Sequence, residues 1–276
     1  LYDTAVAMKK KSEYKKISGK VASYSNYGLI VGMLLGGLLF SINSTLPYLL
    51  TATAATLAFI VVLFFREPPR KTTEDNFIDH TWKSFKLLNQ NKKLKYLSLF
   101  GVVTSTAIVV SFFMIQQYYN LIGIPAYLFG ALIIGSKLIG TYSAKSADKI
   151  ENKLKEKYSF LLISILIVLG YLLMSLYSFA WAFLFAYLLS FASGFSGPVM
   201  SDYFNKHIPS EKRATMLSMK SQLTNISFLI VPALLGRVAD ISIQLAFLVV
   251  ALVSLVLFAS LLPKLIRLHS KAKRKK

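Results

Sequence analysis

The sequence predicts an all-α, polytopic membrane helix bundle with eight transmembrane spans. Three observations predict it. Hydrophobic residues make up 55% of 276 and the mean hydropathy is +0.55, beyond the range of an ordinary soluble domain. Eight apolar runs, roughly 21–42, 46–65, 95–119, 122–144, 158–177, 179–199, 214–236 and 243–263, each suffice to cross a hydrocarbon core that takes about 20 helical residues. Finally, the basic residues alternate from one set of loops to the other. Segments 9–20, 66–95, 145–157, 206–220 and 264–276 carry 6, 8, 5, 4 and 7 Lys/Arg, whereas the intervening loops carry only Arg237 and Lys137 lies inside a span. Both ends of the chain and every second loop are therefore expected on the cytoplasmic side.

Taken in order, residues 1–20 form a basic juxtamembrane segment with Lys9, Lys10, Lys11, Lys15, Lys16 and Lys20, expected to be helical and interfacial. The first span holds Gly28, Gly32 and Gly36 at intervals of four, which places them on one helical face. Such a face lets a second backbone come close where lipid supplies no hydrophobic drive. Asn43, Ser44 and Pro47 separate the first two spans. The loop 66–94 opens with Arg66-Glu67-Pro68-Pro69-Arg70, where proline ends the helix. Ile78, Trp82, Phe85 and Leu88 then recur at helical spacing, which predicts an amphipathic helix on the cytoplasmic surface. Asn120 and Pro125 close the third span, Lys145 to Lys157 the fourth, and Tyr177-Ser178 alone interrupts the apolar run between the fifth and sixth.

With a net charge of +20, nucleic acid would be the reflex partner, but the charge sits at the ends of apolar runs and marks topology instead. Cysteine is absent, which excludes disulfides, thiolate metal sites and cysteine nucleophiles. His80, His207 and His269 are widely spaced and form no metal pair, and no phosphate loop or dinucleotide fingerprint occurs. The sequence thus points to no enzyme, no cofactor, no metal and no nucleic acid, and no required protein partner is evident. The chain starts at Leu1 without a signal region, and is expected to be a piece of a longer protein.

The glycines have a more particular spacing than a packing seam needs. Gly19, Gly28, Gly32, Gly36 and Gly37 resemble the antiporter motif Gly-x8-Gly-x3-Gly-Pro-x2-Gly-Gly in the fifth helix of major facilitator superfamily exporters. Met33 stands where that motif has proline. The opening of the 66–94 loop resembles the family's central linker. Arg213-Ala214-Thr215-Met216-Leu217-Ser218, after Asp202-Tyr203-Phe204-Asn205, resembles the entry to its eleventh helix. Ala144, Asp148, Lys149 and Lys153 resemble a degraded copy of its cytoplasmic Gly-x3-Asp-Arg-x-Gly loop motif, without the glycines.

This resemblance implies the carboxy-terminal two-thirds of a twelve-helix fold, with about the first four helices lacking. Residues 21–65 would be the last two helices of the amino-terminal half and 66–94 the central linker. Residues 95–263 would be the complete carboxy-terminal six-helix half and 264–276 a basic cytoplasmic tail. It implies a multi-pass protein of the cell membrane, bacterial and cytoplasmic in type, that carries out proton-coupled efflux of a small molecule by alternating access. An importer of a small anionic nutrient, or a non-transporting membrane sensor or scaffold, remains an alternative. The partners expected are a small-molecule substrate, protons and membrane lipid.

Lys137 is the most informative single residue, since a lysine inside a span costs roughly 2.5–3.5 kcal/mol on insertion scales. Either it snorkels to the headgroups, or it is a cavity-facing cation that attracts an anion or titrates. No carboxylate sits at membrane depth, so the coupling group lies elsewhere or is Lys137 itself. Ser218, Gln222 and Asn225, with Ser221, make a polar face on the seventh span, which either glues helices or lines a cavity. Lys220 is expected to point away from that face and snorkel. Gln116 and Gln117 precede Tyr118 and Tyr119 at the outer end of the third span. Tyrosines are ordinary at that interface, and a glutamine there could reach a substrate. Tyr187, Ser190, Gly194 and Gly197 form a small stripe leading to Pro198, suited either to close packing or to a pliable helix beside a cavity.

Overall fold

A computed structural model describes residues 14–65, 92–207 and 213–273. The expected amphipathic helix of the 66–94 loop and most of the basic amino-terminal segment lie outside the described residues. Seven α-helices follow in chain order: α1 (Tyr14–Ile42), α2 (Leu46–Val62), α3 (Lys92–Leu121), α4 (Phe129–Leu176), α5 (Phe183–His207), α6 (Arg213–Ile241) and α7 (Ile243–Lys273). Among the described residues there is no strand. The described fold is all-α, and most of each of the eight apolar runs lies on a helix, two of them on α4. Five helical stretches are long and apolar enough to cross a membrane, and Tyr27–Ile42 and Leu46–Val62 are shorter apolar helices.

The described residues of Leu1–Glu74 and Pro125–Ile134 form one compact unit, and those of Asp75–Ile124 and Gly135–Lys276 a second. In the first, α1 stops where Asn43 Oδ1 accepts the Thr45 N–H at 2.8 Å, and Pro47 sits in the first turn of α2, where its missing N–H costs nothing. Along α2 the hydroxyls of Thr51, Thr53 and Thr56 donate to the carbonyls of Pro47, Leu49 and Ala52 at 2.8–2.9 Å. That satisfies them without water, as a lipid-facing helix requires. Gly37 and Gly130 allow the close approach in this unit. A Cβ on Gly37 would meet the carbonyl oxygen of Ala126 at 3.4 Å, and one on Gly130 the carbonyl carbon of Met33 at 3.1 Å.

The second unit is built around α3. Its buried residues Leu94, Leu97, Phe100, Ala107, Val110, Met114 and Tyr118 recur at helical spacing. Phe100 meets Phe160 at 4.9 Å and Phe258 at 5.1 Å between ring centroids, and Phe247 meets Tyr118 and Tyr171 at 5.4 and 5.6 Å. The buried tyrosines find acceptors: Tyr118 donates to the Tyr177 carbonyl at 2.9 Å and Tyr171 to that of Ala107 at 2.5 Å. Tyr118 and Tyr119, at the end of α3, are buried against their neighbours at 0% and 1% exposure. Their rings are large enough to fill the bundle and a carbonyl is in reach of the Tyr118 hydroxyl.

After α3, Gly123 takes φ +75° and the Ile124 N–H bonds back to the Tyr119 carbonyl at 2.9 Å, a Schellman-type stop that glycine makes cheap. Pro125 then prevents continuation. The expected loop 145–157 proves helical up to Lys155, where φ 60° and ψ 172° break α4. No proline or glycine interrupts 141–154, so the helix runs on past its apolar run. Before the break α4 runs parallel to α5, with Gly135 by Tyr187 and Gly194 by Gly140. After it α4 runs antiparallel, with Phe160 by Tyr203 and Gly170 by Phe185. Large side chains such as Trp181, Leu229 and Val256, at 69%, 77% and 66% exposure, face outward, as on a surface that meets lipid.

Candidate functional site

Two lysines lie within the apolar stretches of the second unit. Lys137, on α4 two turns after Phe129, is exposed and pairs with no described acid. Its carbonyl accepts the Thr141 hydroxyl at 2.9 Å. Lys220 is different. Its side chain turns inward from α6, and its ammonium lies 4.6 Å from the centre of the Phe204 ring on α5. Its terminal methylene crosses Gly101 on α3, where an added Cβ would stand 3.0 Å from it. The sequence expectation of snorkelling fails for Lys220. The absence of a side chain at Gly101 opens a channel for the stem, and an aromatic face receives the charge.

Gly101 is flanked one turn on either side by Ser98 and Thr104, 1% and 2% exposed, whose hydroxyls have no hydrogen-bond partner. Buried polar groups are nearly always satisfied, so this side of α3 carries uncommitted polarity. Between α3, α6 and α7 lies a cavity of about 390 Å³, lined by Val103, Thr106, Val110, Ser227, Val231 and Val250 among others. It falls within the size range of small-molecule sites. Thr106 contributes a further unpartnered hydroxyl. Ser227 and Val231 follow Lys220 at i+7 and i+11, hence on the same stripe of α6.

The predicted polar face on α6 is only partly turned in: Gln222 is half-buried, whereas Ser218, Ser221 and Asn225 are exposed. Gln222 and Asn225 make no side-chain hydrogen bond among the described residues, and no described hydrogen bond or ion pair links them to Lys137. Gln116 and Gln117 are exposed at the end of α3. Tyr187, Ser190 and Gly194 form a packing surface: the Ser190 and Ser136 hydroxyls lie 2.5 Å apart, and a Cβ on Gly194 would stand 2.7 Å from the carbonyl carbon of Gly140. Gly197 meets nothing within 4 Å.

On α1 the structure divides the glycine pattern. A Cβ on Gly28, Gly32 or Gly36 would meet nothing within 4 Å, and Gly37 alone of these four is in close approach. Gly19 lies on α1 before the residues whose surroundings are described.

At the charged end of the second unit, Asp148, Lys149 and Lys153 are exposed on α4, and Arg213 opens α6. Two acids of the same lysine-rich segment are engaged instead. Glu156 pairs with Lys93 at 3.3 Å, with side chains 8% and 10% exposed, and Glu151 accepts the Tyr203 hydroxyl at 2.5 Å. Nothing in the local sequence singles these acids out, since their partners lie 63 and 52 positions away.

Comparison with known proteins places these observations. Residues 5–221 match the family model of the Major Facilitator Superfamily. The chain is 26% identical over 253 residues to the class H tetracycline resistance protein of Pasteurella multocida, covering 85% of this chain and 60% of that protein. It is 24% identical over 252 residues to YxaM, an uncharacterized MFS-type transporter of Bacillus subtilis (strain 168), covering 86% of this chain and 62% of the relative. The chain thus spans about 60% of the length of these curated relatives.

Proposed function

This chain belongs to the Major Facilitator Superfamily, and from that premise we propose that the protein exports a small molecule across the cell membrane in exchange for protons. The observation that carries this reading is the glycine pattern of α1. At Gly28, Gly32 and Gly36 a Cβ would meet nothing within 4 Å, a face along which another backbone can approach and withdraw during alternating access. Similarity to a tetracycline resistance protein supports outward transport of an amphipathic compound. The lysine-rich loops support an orientation with both described ends cytoplasmic.

Within this proposal, 21–65 are the last two helices of one half, 66–94 the linker, 95–263 a six-helix half and 264–276 a cytoplasmic tail. The six helical segments from α3 to α7, with α4 broken into two at Lys155, support that division. The described acids lie in the lysine-rich segment of α4 (Asp148, Glu151, Glu156) or near the ends of α5 and α6 (Asp202, Asp240), so the coupling group is proposed to lie elsewhere or to be Lys137. Ser218, Gln222, Asn225, Gln116 and Gln117 are proposed to face the substrate path.

Uptake of tetracycline and a panel of amphipathic dyes into inside-out and right-side-out vesicles tests the direction. Accumulation in inside-out vesicles alone supports export. The exposed Lys137 favours one second reading, import of a small anionic nutrient. Lys137→Gln should then abolish uptake of anionic metabolites in right-side-out vesicles, and unchanged uptake would remove that reading.

A further inference from the structure

We propose that Lys220 anchors the anionic group of an amphipathic organic substrate, whose apolar body follows the same stripe of α6 into the cavity between α3, α6 and α7. The charge is turned into the second unit: its ammonium rests on the Phe204 ring at 4.6 Å, and among the described residues no ion pair neutralises it. Ionisable groups within a membrane span are paired, cavity-facing or functional, and an aromatic face only partly replaces a counter-charge. The unpartnered hydroxyls of Ser98 and Thr104, one turn to either side of the Gly101 gap that receives the lysine stem, add hydrogen-bond donors for the same anion.

The rest of the surroundings suit carbon. Met200 closes on Gly101 from α5, where an added Cβ would stand 3.1 Å from its terminal methyl. Ser227, seven residues beyond Lys220, lies about 10 Å further along α6 and lines the cavity of about 390 Å³ with Val103, Val110 and Val250. A cation at one end of an apolar slot selects a molecule with one negative group and a hydrophobic body. Neutral amphiphiles of the same shape would lose the anchor.

This inference rests on the transporter reading, yet its test does not depend on transport. The full-length protein in phosphatidylcholine nanodiscs is titrated with dansylglycine, which is anionic, and with dansylamide, which is neutral. The wild type should bind dansylglycine roughly tenfold or more tightly, the range of one charge-assisted contact. Lys220→Met, which keeps the stem volume, should bring the two affinities within about twofold, whereas Lys220→Arg should retain the preference. Gly101→Ala crowds the lysine stem and gives a second route to the same loss if Lys220→Met fails to fold. Val231→Phe, which fills the cavity, should weaken both dyes together.

Equal affinity of the wild type for the two dyes overturns the proposal, as does a preference that survives both Lys220→Met and Gly101→Ala. So does a preference seen in phosphatidylcholine and abolished in phosphatidylglycerol, since a lipid headgroup would then hold Lys220. Proton-driven transport with no charge preference would sink this inference and leave the transporter reading standing. A charge preference in a protein that moves nothing would do the reverse.

Discussion

Replacing Gly194 by alanine tests the packing of α4 against α5 at its tightest point. The new Cβ would stand 2.7 Å from the carbonyl carbon of Gly140 and 2.9 Å from its Cα, with the carbonyl oxygen closer still. These are backbone atoms, so no side chain can swing aside. Restoring an ordinary contact of 3.4 Å requires the helices to part by at least about 0.7 Å. Overpacking of this kind costs about 1–3 kcal/mol. Parting also strains the Ser136–Ser190 contact one turn away, 2.5 Å between hydroxyls, a bond worth about 0.6 kcal/mol within a membrane protein. Against this stands a gain in helix propensity of up to about 1 kcal/mol for any Gly→Ala change. Gly236→Ala on α6 supplies that gain alone, because a Cβ there meets nothing within 4 Å. Thermal unfolding in detergent should therefore lower the midpoint of Gly194→Ala by roughly 5 °C and leave Gly236→Ala at or above wild type. Equal midpoints for the two variants would refute the close crossing.

Other consequences are as direct. Lys93→Met or Glu156→Met alone should destabilise the protein, by up to about 3–5 kcal/mol, since each breaks a buried ion pair from one side. The double variant should recover much of the loss, and additive losses in chemical denaturation would mean the two are not coupled. Gly32→Leu should abolish uptake in inside-out vesicles while expression and melting stay at wild-type levels, because a Cβ at Gly32 would meet nothing within 4 Å. Normal uptake by that variant would demote the glycine face to a tolerant surface.

Most of the helical architecture was legible in the sequence because the signals were local. Apolar runs of span length are helices when no water is available to the backbone, and Asn43-Pro47, Gly123-Pro125 and Tyr177-Ser178 mark breaks that the chain does make. The α4 boundary was less legible: charge suggested a loop at 145–157, yet charged residues are good helix formers and the break waits until Lys155. Which face of a helix meets which neighbour was the least legible. The position of Lys220 near a helix end points it outward, but the gap at Gly101, 119 residues earlier, draws it in. Tyr118 can be buried because the Tyr177 carbonyl, 59 residues on, accepts a hydrogen bond from its hydroxyl. The cavity, lined by ordinary valines and serines, has no motif at all; it exists only once α3, α6 and α7 are packed.

Proton exchange is tested most directly by collapsing the gradient that drives it. Inside-out vesicles bearing the full-length protein are energised to an acidic lumen and loaded with a dye from the panel until accumulation is steady, and a protonophore is then added. If the protein exchanges substrate for protons, the accumulated dye is released as the pH gradient collapses. Accumulation indifferent to that collapse would contradict it.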